Sequence, residues 1–104
     1  MSNLNLEQLV ESLFDKQVEL LSQLVAEKST RGNEAQAQQI MKNEMASDGA
    51  RIDELKVDVD KIKHLPGFSP VLINYDNMVN VIGNYGNADG TGRSLILNGH
   101  IDVV

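Results

Sequence analysis

The chain contains no cysteine and no tryptophan among its 104 residues. Without cysteine it has neither a disulfide framework nor a thiol nucleophile. Only two Phe and two Tyr are present, so any core must be mostly aliphatic. Clustered Lys and Arg are also missing, and the formal net charge is -6, which removes the electrostatic basis for gripping a nucleic-acid backbone. No apolar run approaches the roughly 20 residues a membrane-spanning helix needs. Met1-Ser2-Asn3-Leu4-Asn5 lacks the basic start and apolar middle of a signal peptide. A cytoplasmic protein is therefore expected, with neither nucleic acid nor membrane as partner. What is present is ordinary for a folded domain: 41% hydrophobic and 23% charged residues argue against disorder.

From Leu6 to about Ala26, the residues Leu6, Leu9, Val10, Leu13, Phe14, Leu20, Leu21, Leu24 and Val25 recur at helical spacing. Asn5 is placed to cap this helix, with Gln8 as reciprocal partner, and Glu7 and Glu11 suit the positive end of its dipole. Its acidic polar face is wrong for anionic lipid, so packing on a sheet is the expected use of the stripe. A polar break at Ser29 to Asn33 precedes a second helix from Glu34 to about Ser47. Asn33 and Gln36 repeat the capping arrangement there, and Gly49 ends the helix. Ala35, Ile40, Met41 and Met45 form its weaker stripe, with the methionines as core filler. Ser29 and Thr30 have no neighbouring histidine in sequence and are read as capping or turn hydroxyls, not nucleophiles.

Arg51 to Val57 predicts a strand with Leu55 and Val57 inward, and Asp58 then caps one helical turn through Ile62. Pro66 and Pro70 mark a loop, in which His64 is most simply a solvated side chain. Met78 to Tyr85 and Arg93 to His100 predict two further strands, joined as a hairpin by the glycine-rich 86–92. That loop joins strand to strand with no following helix N-terminus and no lysine, so it is not a phosphate cradle.

The richest stretch is Ser94-Leu95-Ile96-Leu97-Asn98-Gly99-His100-Ile101-Asp102-Val103-Val104. Three consecutive apolar residues without alternation predict a strand covered on both faces, ending at Asn98-Gly99. Residues two apart on an extended chain point the same way, so Asp102 can accept a hydrogen bond from one ring nitrogen of His100. The other nitrogen is then free for a metal, a relay that fixes the tautomer and raises ligand basicity. A bare His-x-Asp arises by chance in about one chain in ten of this length, so on spacing and strand context alone a structural or hydrogen-bonded histidine is the favoured reading over a metal ligand.

The longer string resembles the first metal-ligand motif of the di-zinc metallopeptidase and deacylase family that includes acetylornithine deacetylase and succinyl-diaminopimelate desuccinylase. Glu27-Lys28-Ser29-Thr30-Arg31-Gly32-Asn33-Glu34 resembles that family's loop between its first two helices. His64-Leu65-Pro66-Gly67-Phe68 and Asn80-Val81-Ile82-Gly83 are similar to its acetylornithine-deacetylase-like branch. The resemblance implies two zinc ions, with cobalt as a possible substitute, bridging a water that attacks an amide carbonyl with help from a glutamate base. It implies His100 as a ligand of one zinc and Asp102 as the catalytic-site carboxylate that orients it. The family's bridging aspartate, its glutamates and its distal histidine have no counterpart here.

The expected fold is α/β, two helices packed on a small mixed sheet, forming the opening part of such a catalytic domain. Residues 1–104 are then a single, partial catalytic domain without the family's second, dimerisation-type domain. By this reading the chain is an N-terminal fragment of a zinc-dependent amide hydrolase that deacylates an N-acyl amino acid or peptide. One histidine is not enough to hold catalytic zinc, so the fragment is expected to be inactive and to bind no zinc tightly by itself. The alternative is a non-catalytic module that forms a homo-oligomer through an open sheet edge and the apolar helix stripe.

Overall fold

Helix α1 (Leu6–Ala26) opens the computed structural model, which describes residues 5–86 and 89–104. The Asn5 side chain caps it by accepting from the Glu7 amide at 3.1 Å, which satisfies one of the first-turn donors. The reciprocal bond expected from Gln8 is not formed. No residue of α1 is buried, and Leu6, Leu13, Phe14, Leu21 and Val25 all stand in the open. The expectation that this stripe packs on the sheet is therefore corrected, since among the described helices and strands α1 meets α2 alone. What joins them is Lys16, whose ammonium lies 2.9 Å from a Glu44 carboxylate oxygen and 3.2 Å from one of Asp48. Hydrogen bonds to Glu44 and then Asp48, with their negative charge, hold the Lys16 pKa above its usual value.

Helix α2 (Ala35–Ser47) begins without a side-chain cap. Asn33, expected to supply it, instead donates to the Thr30 hydroxyl at 3.1 Å within the preceding turn. At the other end Gly49 takes a positive φ of 91°, the left-handed position that closes a helix and strains any residue with a Cβ. Among the described residues, Ala37 of α2 is the one fully buried apolar side chain.

Strands β1 (Arg51–Lys56) and β2 (Val79–Asn84) pair antiparallel, with Ile52 opposite Gly83 and Glu54 opposite Val81. Between them lies one capped turn of helix, α3 (Val59–Ile62), where the Asp58 side chain accepts from the Asp60 amide. Val79, Val81 and Gly83 are half-buried and share the face that α2 covers. There Lys42 of α2 reaches Glu54 of β1 at 3.0 Å, and Gly83 lets the Met45 side chain approach the backbone of β2. The opposite face carries Leu55 and Ile82 into solvent, so Leu55 does not point inward as expected, and Ile52 is the half-buried apolar residue of β1.

Two further expectations are corrected. Among the described residues the sheet has two strands and is purely antiparallel, not mixed, and 93–100 does not pair with β2. Leu95, Ile96 and Leu97 are 83%, 88% and 87% exposed. A strand apolar on both faces needs cover on both, whereas α2 covers only one face of β1 and β2 and α1 does not reach the sheet. The predicted hairpin loop lies partly outside the described residues, at 87–88. Architecture of the α/β class is thus present, built among the described residues from three helices and a two-stranded sheet.

This arrangement leaves much surface open. The accessible area is 9165 Å², about 3,400 Å² more than a compact chain of this mass exposes. The radius of gyration is 17.2 Å, against about 13 Å for a compact domain of similar length. Among the described residues no helix is long and apolar enough to cross a membrane.

Candidate metal-ligand site at His100

Although 93–100 forms no strand, the segment that follows it is anchored. The Ser29 carbonyl accepts from the Val103 amide at 2.9 Å, and the Ser29 hydroxyl donates to the Ile101 carbonyl at 3.1 Å. Thr30 and Val103 form a parallel bridge around this pair of bonds. Ser29 is 3% exposed, so the residue read as a capping hydroxyl is instead the buried half of a clasp that fixes the tail.

The clasp places His100 and Asp102 as the alternation of an extended chain requires. His100 Nδ1 lies 3.1 Å from Asp102 Oδ1. An ionised carboxylate only accepts, so the ring must carry its proton on Nδ1 and donate, leaving the Nε2 lone pair unengaged by Asp102. The histidine side chain is 83% exposed and the aspartate 47%, so the free nitrogen faces solvent while its orienting partner sits closer to the chain. In such an exposed setting the pair supplies orientation more than binding energy.

Below the pair is a cavity of about 170 Å³. Its walls come from Glu34 and Gln38 at the start of α2, Val79 and Asn80 of β2, and the Gly99–Asp102 segment. Glu34 is 7% exposed; one carboxylate oxygen accepts from the Gly32 amide at 2.9 Å, and the other has no partner among the described residues. Sequence reasoning placed Glu34 as the first residue of a helix and the last of a loop resembling the family's, not as a buried carboxylate. Its acidic character just before an apolar stripe is a signal of a helix start, but nothing in the order of residues reveals that it shares a cavity with residues 99–102.

His64, in the turn after α3, is exposed, in keeping with a solvated side chain. Among the described residues no three His, Asp or Glu side chains converge as a metal-holding group. His100 and Asp102 are brought together; His64 is not brought to them. A lone imidazole with a fixed tautomer fits one corner of a tetrahedral zinc site, with the other corners to be filled by further ligands. Compared with protein-family models, curated proteins and solved structures, the chain matches none.

Proposed function

We propose that this chain supplies one histidine ligand to a zinc-dependent amide hydrolase of the di-zinc metallopeptidase and deacylase kind. The substrate would be an N-acyl amino acid such as acetylornithine, or a small peptide. The observation that carries the reading is the 3.1 Å contact between His100 Nδ1 and Asp102, set at the end of the motif Leu-Asn-Gly-His-Ile-Asp-Val-Val. Zinc, or cobalt in its place, would polarise the amide carbonyl and lower the pKa of a bound water. The part played by this chain is narrower. Asp102 keeps the proton on Nδ1, His100 presents Nε2 outward, and the Ser29 clasp holds both in place. The reading requires further acidic ligands and a glutamate base that the described residues do not bring to His100. In this view residues 1–104 are the opening part of a catalytic domain.

The test is made in two steps. Zinc titration of the chain by itself, read by calorimetry, is expected to give no tight stoichiometric binding. When the chain is extended by whatever its gene encodes after Val104, hydrolysis of N-acyl amino acids is expected. His100→Ala should then abolish it, while Asp102→Ala should weaken zinc binding by about 10–100-fold. Full activity in the extended His100→Ala protein would overturn the reading, as would tight zinc binding by the 104-residue chain alone.

A further inference from the structure

The two bonds that hold the tail fall on either side of Asp102: the Val103 amide donates to the Ser29 carbonyl, and the Ser29 hydroxyl donates to the Ile101 carbonyl. The backbone at Asp102 is thereby kept extended, and the period of an extended chain is what brings its carboxylate to His100 Nδ1. The orientation of the ring thus depends on where Ser29 stands. A tight turn, residues 30–33, follows Ser29 at once. In it the Asn33 amide donates to the Thr30 carbonyl at 2.7 Å, and the Asn33 side chain to the Thr30 hydroxyl at 3.1 Å.

Gly32, third in this turn, has a φ of 92°, as a type II turn requires. Type I and type II turns differ by a flip of the central peptide, here the one that joins Arg31 to Gly32. The Gly32 amide belongs to that peptide, and it donates to a Glu34 carboxylate oxygen at 2.9 Å. Glu34 therefore holds the central peptide in one of its two orientations. The same side chain lines the cavity shared with His100 and Asp102, and among the described residues it is the one wall of that cavity outside the tail that bonds to the turn.

We propose that Glu34 is a positioning residue for the His100–Asp102 pair, acting through the 30–33 turn and the Ser29 clasp. Its action is indirect, since among the described residues it makes no hydrogen bond to either member of the pair. Stability alone does not account for a glutamate here. A carboxylate 7% exposed, with one oxygen unmatched among the described residues, gives up more hydration than a single bond to a peptide amide returns. What the side chain contributes is a fixed turn, and through it a fixed imidazole. The worth of that orientation for hydrolysis rests on the zinc reading, whereas the orientation itself is read without zinc, so either can fail while the other stands.

The test is nitrogen nuclear magnetic resonance of the whole chain at about pH 9, where an ordinary imidazole is neutral and its ring-nitrogen shifts report which nitrogen carries the proton. In the wild type the Nδ1–H form of His100 is expected to predominate. Glu34→Ala should lower that population by about twofold or more and speed exchange of the Val103 amide, while the amides of β1 and β2 and the ring of His64 stay as they are. Glu34→Gln keeps an oxygen for the Gly32 amide and should restore the wild-type population. An Nε2–H ring in the wild type, or an unchanged ring in Glu34→Ala, would overturn the proposal. So would lost protection across β1 and β2 in Glu34→Ala, which would make Glu34 a residue of general stability. A Glu34→Gln protein as disturbed as Glu34→Ala would overturn it too, by placing the effect in the charge and not in the bond to Gly32.

Discussion

Gly83→Ala probes the one place where α2 lies tightest against the sheet. A Cβ at this position would lie 2.6 Å from Met45 Sδ, with Ala50 Cβ at 3.4 Å and Met45 Cβ at 3.5 Å. Non-bonded carbon contacts settle at about 3.5–4.0 Å, so the sulfur must retreat by about 1 Å while the other two neighbours can stay. Methionine can make that move through its three rotatable bonds, at the cost of its present packing. Overpacking of this kind costs about 1–3 kcal/mol, and replacing a strand glycine by alanine returns about 0.5–1 kcal/mol of backbone entropy. The net expectation is a loss of about 1 kcal/mol. Met45→Ala alone should cost roughly 1–2 kcal/mol, because the side chain is only half-buried. In the double variant the methyl at 83 enters space the methionine has left, so the two changes should couple favourably by about 1–2 kcal/mol. Urea unfolding followed by far-ultraviolet circular dichroism measures all four corners of this cycle. Gly83→Ala proteins as stable as the wild type, or changes additive within about 0.3 kcal/mol, would refute the packing described for α2 and β2.

Two further outcomes follow from named contacts. Ser29→Ala removes the bond to the Ile101 carbonyl and should cost about 1 kcal/mol, with faster exchange of the Val103 amide; unchanged exchange would show that the clasp does not depend on the hydroxyl. Lys16 has a raised pKa, so its contribution to docking α1 on α2 is fully present below 10.5, its unfolded value, and is lost as pH rises through the higher folded value. Energy transfer between dyes on the two helices should fall above that pH in the wild type, and Lys16→Met should already be low at neutral pH and flat. Equal transfer in both proteins would remove Lys16 as the tie.

Helix ends follow from nearby residues at several positions, although the caps expected from Gln8 and Asn33 do not form. The cap at Asn5, the end of α2 at Gly49 and the turn capped by Asp58 all depend on residues within four positions of one another, and all appear where their side-chain chemistry places them. The His100–Asp102 contact is equally local and follows from the period of an extended chain. The destinations of α1 and of 94–98 were misjudged because periodicity shows which face is apolar but not what covers it. Glu34 and Ser29 carry no local sign of burial, and the partners of Ser29, Ile101 and Val103, lie more than 70 residues away in sequence.

The clasp at Ser29 has a consequence for the order in which the molecule is assembled. Joining Ser29 to Ile101 closes a loop of 72 residues, which in an otherwise unformed chain costs about 4 kcal/mol of entropy. Its two hydrogen bonds return about 1 kcal/mol each, too little to close that loop unaided. Once β2 is paired with β1 and α2 is docked on them, the free span shrinks to the roughly 17 residues after Asn84, and the cost falls to about 2.5 kcal/mol, close to what those bonds and the half-buried Ile101 can offset. The tail thus docks after the hairpin of β1 and β2 and comes away whenever that hairpin opens. The orientation of His100 is therefore a reversible event that depends on a strand pair distant from it in sequence.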